Sequence, residues 1–586
     1  MFATMSLQRV AWLILFTAFA ALLCHSWYGP DIWYHLTWGR DLWTSSSWAP
    51  IQHTLIRQPA EANPYWLFQL VMHTSYERGG IVLGSAVLAM AWVGVLTLWL
   101  SLSQALNKPL IGQFILLCLI LTLQLRFEHR PEVFSYLFLL LTMRWFLKAD
   151  PNDESGREFA HLFIIQMLWT NTHSYFALGP ILASAYLVAS LIGKSGDLRR
   201  AVVALVVSGL ASLATPFGWR NWTSIWSYMQ IGQKLRDFNA ELFPPAFSLQ
   251  YWPYALYWFL FLVIAVLLLR SVWLKRLDFA WFAAFGGLLL SSQAARNIPL
   301  LMVMGAPLLA DLPRLEAREI YARLSATIAA ALALILLQAT VTSRLHRSIG
   351  SLGSFGVRLE PSAYPVAATE FLKKQGFHGR LFTDSYDGGY VEYHIPEVQV
   401  AGDSYFSDPN LTLAFFNATR DPEFLAQLHQ KLRFDAFLIN VENLEILDAL
   451  LNDPNLVLVH ADSHRALFYL KGQSSAYENQ SVAAKSTYYR DEDLRNWNNA
   501  IGVITWSAVF RKYRWRQPML KVLQDIEAAR NVPSAVLRNS MRFAEETKDH
   551  EMAQLNLALV SRLHETEPGQ KEEILQLERN LRACCF

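Results

Sequence analysis

The stretch VAWLILFTAFAALLCHSWYGPDIWYH, residues 10–35, decides how this chain folds. Val10 to Trp27 contains no Asp, Glu, Lys or Arg. It is close to the roughly 20 apolar residues that cross a bilayer as a helix. No small-residue cleavage site follows it cleanly and further apolar segments come after, so it reads as an uncleaved first span rather than a signal peptide. Gly29-Pro30 then turns the chain, and Asp31 follows with Trp33 and Tyr34 beside it. Trp and Tyr collect at the membrane–water boundary. A carboxylate in that setting lies at headgroup level.

Working outward, the same character returns ten more times. Ile81–Leu102, Leu110–Leu125, Val133–Leu147, Ala201–Leu213, Trp252–Leu269, Phe279–Leu290, Ile298–Ala310 and Leu324–Val341 are apolar runs. Phe159–Gly193 is too long for one span and is divided by Asn171-Thr172-His173-Ser174, which predicts a short helix, a polar apex and a second helix. Non-helical backbone at membrane depth is tolerated where it is buried in protein or lines a cavity. A simple hairpin turn is the alternative. Of the 586 residues, 53% are hydrophobic and 17% charged, against about a quarter charged in soluble chains. The predicted fold class is therefore a polytopic α-helical membrane protein of about eleven transmembrane helices, occupying residues 1–341, with a first outer loop over 28–78. A net charge of +2 excludes a nucleic-acid binder of the basic kind. The four Cys (24, 118, 584 and 585) fit no zinc or disulfide spacing.

Lys and Arg collect on the cytoplasmic side of membrane proteins. With the N-terminus inside, the cytoplasmic loops carry fourteen and the opposite loops nine. An odd number of spans then puts the C-terminal part outside, in the periplasm of a Gram-negative cell, and the protein in the inner membrane. Residues 342–472 alternate short strand candidates (Arg380–Thr383, Val398–Val400, Phe434–Ile439, Leu456–Val459, Ala466–Leu470) with helical stretches (Phe424–Leu432, Leu444–Leu451), which predicts an α/β domain. Residues 473–586 read as a helical region, and Met541–His564 looks like one helical hairpin of a repeat array.

Three elements carry chemistry. Asp31 is a candidate general base toward a hydroxyl acceptor or a contact for a divalent cation. Its structural alternative is an N-terminal helix cap. Asp41, His53, Glu61 and His73 in the same loop are possible assistants. Arg130 and Arg296, and less clearly Arg126 and Arg220, are cations on the outer side, against the charge bias. Arg binds phosphate through a two-pronged guanidinium, or its charge reaches water from an interfacial stem. Trp169-Thr170-Asn171-Thr172-His173-Ser174-Tyr175 is the broken-helix element. In the C-terminal domain Asp384, Asp387, Asp403 and Asp408 form an acidic group, read as Ca²⁺-binding, sugar-binding or plainly solvated.

In order and spacing these residues resemble bacterial membrane glycosyltransferases of the GT-C superfold, near the protein mannosyltransferases and aminoarabinose transferases. The shared pattern is Asp31 to His35 with Gly39-Arg40, then Arg130-Pro131, then Trp169, Asn171 and His173. Thr215-Pro216-Phe217-Gly218, Tyr364-Pro365 and Asp387-Gly388-Gly389-Tyr390 complete it. The resemblance spans roughly residues 1–470 and implies transfer of a sugar from a polyprenyl-phosphate donor to an acceptor outside the cytoplasm. It gives Asp31, with His35 and Arg40, the catalytic place, and assigns Arg130, Arg296, Asn171 and His173 to the donor phosphate. The chain departs from the family pattern between Ser45 and Trp66, where His53-Thr54 stands in place of an Asp-x-Phe/Ser-x-Thr run and Glu61 only approximates a second acid. A divalent metal cofactor is therefore left open. The rival readings are a membrane scaffold whose outer domain and helical tail bind envelope partners, and a transporter. Transporters pair their broken helices, and this chain has a single one.

Overall fold

The computed structural model describes residues 2–471 except 46–47, 49–53, 57–61, 109–110, 149–155, 194–197, 235–239, 249–250, 313–318, 361, 406–408, 442 and 462–463, and beyond that parts of 537–560 and all of 568–585. His53, Glu61, Asp408 and most of the predicted helical region 473–586 lie outside the described residues.

The chain forms two units. The first comprises 1–52, 58–360 and 406–409; the second comprises 53–57, 361–405 and 410–586. Fourteen helices make up the described part of the first: α1 (Phe2–Leu23), α2 (Asp31–Ser45), α3 (Trp66–Ser103), α4 (Gly112–Leu123), α5 (Glu132–Lys148), α6 (Arg157–Thr170), α7 (Leu178–Gly193), α8 (Leu198–Ala211), α9 (Arg220–Lys234), α10 (Trp252–Trp273), α11 (Phe279–Gln293), α12 (Ile298–Leu309), α13 (Glu319–Val341) and α14 (Arg344–Ser348). Each of the eleven apolar segments is helical. By length and composition four of them suffice alone to cross a membrane: Trp66–Ser103, Ser174–Ile192, Trp252–Trp273 and Ile320–Val341. Leu7–Leu23, Gly112–Arg126, Phe279–Gln293 and Ala295–Leu309 are shorter and equally apolar.

The packing follows from this composition. Every residue of α12 is buried, as a helix apolar on all sides requires. It forms the axis of the bundle, with α11, α10 and α3 against it. Leu13, Val82, Met90, Ile181, Val206, Leu262, Leu269 and Ile335 point outward from the surrounding helices. Apolar surface on that scale marks a membrane-embedded protein. The span predicted from Ile81 is the second half of α3. Gly79 and Gly80 break the helix just before it, and Gly80 sits at φ +57, a left-handed conformation open to a residue without Cβ.

In the second unit a five-stranded sheet runs in the order β2-β1-β3-β5-β4. Its strands are β1 (Arg380–Phe382), β2 (Gln399–Val400), β3 (Ala436–Asn440), β4 (Leu456–Ala461) and β5 (Arg465–Leu470). β1 pairs in parallel with β2 and β3, while β5 is antiparallel to β3 and β4. One core layer gathers Phe382, Phe415, Phe434, Phe437 and Phe468, and another Leu381, Val391, Val400, Leu438 and Leu467. The acids of this unit serve local structure. Asp384 accepts from the backbone N–H groups of Tyr386 and Asp387. Asp387 is buried in an ion pair with Arg465. Asp403 accepts from the Tyr405 N–H at 3.0 Å.

Candidate functional site

Asp31 opens α2, with its carboxylate in the first helical turn, where the dipole favours an anion. Because α2 lies on the first half of α3, the position of Asp31 depends on that contact. Gly39 makes it close: a Cβ there would stand 2.3 Å from the Gln69 carbonyl oxygen and 2.6 Å from His73 Cβ.

The turn Arg126-Phe127-Glu128-His129-Arg130-Pro131 joins α4 to α5 and brings Arg130 to Asp31. Arg130 Nε lies 2.9 Å from Asp31 Oδ2 and 2.6 Å from Glu128 Oε2. Its Nη1 is 3.3 Å from Glu241 Oε2, on the segment Ala240–Leu242 that follows α9. Arg126 closes the group from beneath. Its Nε and Nη2 donate to the two oxygens of Glu132 at 2.8 and 2.7 Å, and its Nη1 reaches Glu241 at 2.9 Å. Two guanidiniums thus hold four carboxylates from α2, the turn, α5 and the 240–242 segment.

Electrostatics separates the two acids outside the spans. Burial pushes the Glu241 carboxyl up, but Arg126 and Arg130 outweigh it and hold it well below the usual carboxylate range. Burial pushes the Glu128 carboxyl up, and although Arg130 opposes this, the nearby Glu241 and Asp31 reinforce the rise. Burial would lower the Arg130 guanidinium, but Asp31, Glu128 and Glu241 drive it well above its ordinary value.

Arg296 stands across from this group, on the segment Ala295–Asn297. The backbone N–H of Ala295 donates to the Phe243 carbonyl at 2.8 Å, which straps the Glu241 segment to the Arg296 segment. Arg296 is exposed. Beside it, Tyr175 donates its hydroxyl to Asn297 Oδ1 at 2.8 Å. His173 and Asn171 hold the broken helix between α6 and α7 in shape. Trp169 donates to Ser135 Oγ at 2.8 Å, Ser135 Oγ lies 2.8 Å from His173 Nδ1, and the Tyr175 N–H donates to the same nitrogen. The Asn171 side chain donates to the Ala214 carbonyl and accepts from Trp66 Nε1.

Of the residues singled out in the sequence, Asp31 and Arg130 are therefore brought into direct contact. Arg296 is strapped nearby, and Asn171 and His173 shape the turn leading to Tyr175. His35 is buried, 3.3 Å from Gln69 Nε2 and packed on Tyr65 and Phe68. Arg40 stands nine residues along α2 from Asp31, about 13 Å at a helical rise of ~1.5 Å per residue, with its Nε 3.9 Å from Asp41. Glu128, Glu132 and Glu241 went unnoticed in the sequence. The signal is present in the sequence: acids and arginines alternate in Arg126-Phe-Glu128-His-Arg130-Pro-Glu132.

A metal contact was the open alternative for Asp31. Oxygen ligands lie 2.0–2.6 Å from Mg²⁺ or Ca²⁺. Here a guanidinium nitrogen already stands 2.9 Å from Asp31 Oδ2 and 2.6 Å from Glu128 Oε2. Among the described residues no group of three or more His, Cys, Asp or Glu is arranged to hold a metal ion. The donor set does not fit a divalent cation.

No protein-family model and no curated protein sequence matches the chain. Solved structures do. The apo oligosaccharyltransferase of Archaeoglobus fulgidus aligns over 76% of this chain and 70% of its own, at 11% identity and a TM-score of 0.51. The same enzyme, tethered through a disulfide to an acceptor peptide containing the NVT sequon, aligns over the same shares at 11% identity and a TM-score of 0.50. The chain shares the backbone fold of this oligosaccharyltransferase. ArnT from Cupriavidus metallidurans, bound to undecaprenyl phosphate, covers 78% of this chain and 97% of its own, at 13% identity and a TM-score of 0.44. At these identities the likeness is one of backbone arrangement.

Proposed function

We propose that this chain is an integral membrane glycosyltransferase that moves a sugar from a polyprenyl-phosphate donor to an acceptor outside the cytoplasm. One observation carries the reading: on an oligosaccharyltransferase-like fold, an interfacial carboxylate at the end of the first span is held by an arginine from the second outer turn, Asp31 against Arg130 at 2.9 Å. In the proposed topology the eleven apolar helices all span the inner membrane. The N-terminus is cytoplasmic and the second unit periplasmic.

The reaction is a direct displacement with inversion. The acceptor hydroxyl gives its proton to the Asp31 carboxylate as its oxygen bonds to the anomeric carbon. The bond from that carbon to the phosphate oxygen breaks, and its electron pair leaves with the polyprenyl phosphate. Arg296, exposed beside Tyr175, faces the leaving phosphate, and a positioned cation stabilises charge developing there. Arg130 positions Asp31, while His35, Asn171 and His173 position the elements around it.

The test is sugar transfer by the purified chain in proteoliposomes, with a panel of polyprenyl-phosphate sugars and lipid or peptide acceptors, read by mass spectrometry. A general base contributes about 10²–10⁴-fold, so Asp31→Asn in a folded protein should lower transfer by that factor. Transfer that survives Asp31→Asn at the wild-type rate removes Asp31 from the chemistry. No transfer across the panel favours the scaffold reading.

A further inference from the structure

We infer that Arg130 fills, as a built-in cation, the place at Asp31 that a divalent metal would take, and that the site binds no divalent ion while Arg130 is present. This builds on the transferase reading, in which Asp31 is the base, and it is testable without measuring transfer.

The argument starts from convergence. Asp31, Glu128 and Glu241 come from α2, the α4–α5 turn and the segment after α9, and all three place an oxygen within 3.3 Å of Arg130 nitrogens. Hard divalent cations take carboxylate oxygens as ligands, and here three carboxylates from three separate elements face a guanidinium instead. The cation that all three face is a side chain.

A guanidinium differs from a metal in ways that bear on the site. It cannot be chelated away, and it stays charged throughout the pH range of a folded protein. It carries a single charge in a plane, so it matches carboxylates spread around it rather than pulled to 2.0–2.6 Å. Its position here is fixed by its neighbours. The Arg130 N–H donates to the Glu128 carbonyl at 2.9 Å, Pro131 begins α5 immediately after, and the side chain is 17% exposed. Arg126 lies beneath it and shares Glu241. A metal entering this place would have to displace the guanidinium from three carboxylates at once.

Removing Arg130 should therefore create a metal site. Three acids would be left around a vacated centre, with Arg126 as the nearest remaining partner of Glu241. The experiment uses the full chain in detergent, stripped with EDTA and titrated with Mn²⁺, with free Mn²⁺ read by electron paramagnetic resonance. Wild type should leave the free signal unchanged relative to its Asp31→Asn variant. Arg130→Ala and Arg130→Gln should each take up one Mn²⁺ per chain, and adding Asp31→Asn to either should abolish that uptake. Arg130→Lys, which keeps a cation, should take up none. Near-ultraviolet circular dichroism identifies which variants are folded.

Stoichiometric Mn²⁺ binding by wild type that disappears in Asp31→Asn overturns the inference. So does a folded Arg130→Gln chain that gains no Mn²⁺. The wild-type arm decides on its own if both neutral variants fail to fold. Absence of sugar transfer with every donor would count against the proposed reaction and leave the Mn²⁺ result standing. A wild-type chain that transfers sugar and binds Mn²⁺ at Asp31 would overturn this inference alone.

Discussion

Replacing Arg126 by Met should destabilise the first unit by about 3–5 kcal/mol. The magnitude follows from what the guanidinium touches. Its side chain is 3% exposed, it donates twice to Glu132 at 2.8 and 2.7 Å, and it reaches Glu241 at 2.9 Å. Met preserves most of the aliphatic stem, so packing is largely kept and the charge alone is removed. Glu132, whose side chain is 12% exposed, is then left without its cation. Breaking a buried pair from one side costs about 3–5 kcal/mol, whereas replacing both partners by apolar groups is often neutral. Arg126→Met with Glu132→Leu should therefore recover most of the loss. Arg126→Lys should fall between, since an ammonium cannot make the two-pronged contact. The assay is unfolding of the purified chain by dodecyl sulfate in mixed micelles, followed by tryptophan fluorescence. Eighteen of the 21 Trp precede residue 361, so the signal reports mainly on the unit that holds the site. A loss below about 1 kcal/mol for Arg126→Met, or a double variant no more stable than the single one, would refute the claim that Arg126 supports the site as a buried counter-charge.

Two further outcomes follow from the same geometry. Arg296→Ala should raise the KM for a polyprenyl-phosphate donor and lower kcat, with Arg296→Lys recovering part of both; an unchanged donor dependence would remove Arg296 from the phosphate. Gly39→Ala should cost roughly 1–3 kcal/mol and lower transfer, because the new Cβ meets the Gln69 carbonyl at 2.3 Å and lifts α2 away from α3; wild-type melting and activity together would count against that contact.

The helices were legible because each apolar run long enough to be buried or lipid-facing has one way to satisfy its backbone, which is to coil. The break at Asn171-Thr172-His173 was legible for the same reason, since polar residues inside such a run have to find partners there. The strands of the second unit were visible as short apolar runs between turn residues, and β1 to β5 formed where they were expected. The 66–80 half of α3 was not visible. It mixes Gln69, His73, Glu77 and Arg78 with apolar residues, and its helicity comes from carrying α2 rather than from apolar periodicity. The carboxylates around Arg130 were illegible for a different reason. Glu241 lies 111 residues from Arg130, and only the folded chain brings them together. Glu128 and Glu132 were within reach of the reading. Two acids interleaved with two arginines in seven residues could have been read as an internally neutralised turn rather than as two cations awaiting phosphate.

The carboxylates around Arg130 bear on where the donor belongs in the proposed reaction. Asp31, Glu128, Glu132 and Glu241 outnumber Arg126 and Arg130 by two, so the Asp31 side of the site is negative overall even with both guanidiniums in place. A phosphate brought there would meet cations already committed to carboxylates and would add to the excess. Arg296 differs: it is exposed beside Tyr175, and although Glu132 and Glu241 act on its charge, it is not a member of the ion pairs around Arg130. An inverting displacement needs base and leaving group on opposite sides of the anomeric carbon, with negative charge growing on the leaving side. The division between an acid-rich side at Asp31 and a cationic rim at Arg296 provides that polarity. In the proposed reaction Arg130 therefore belongs with the base that it holds, and the phosphate belongs with Arg296.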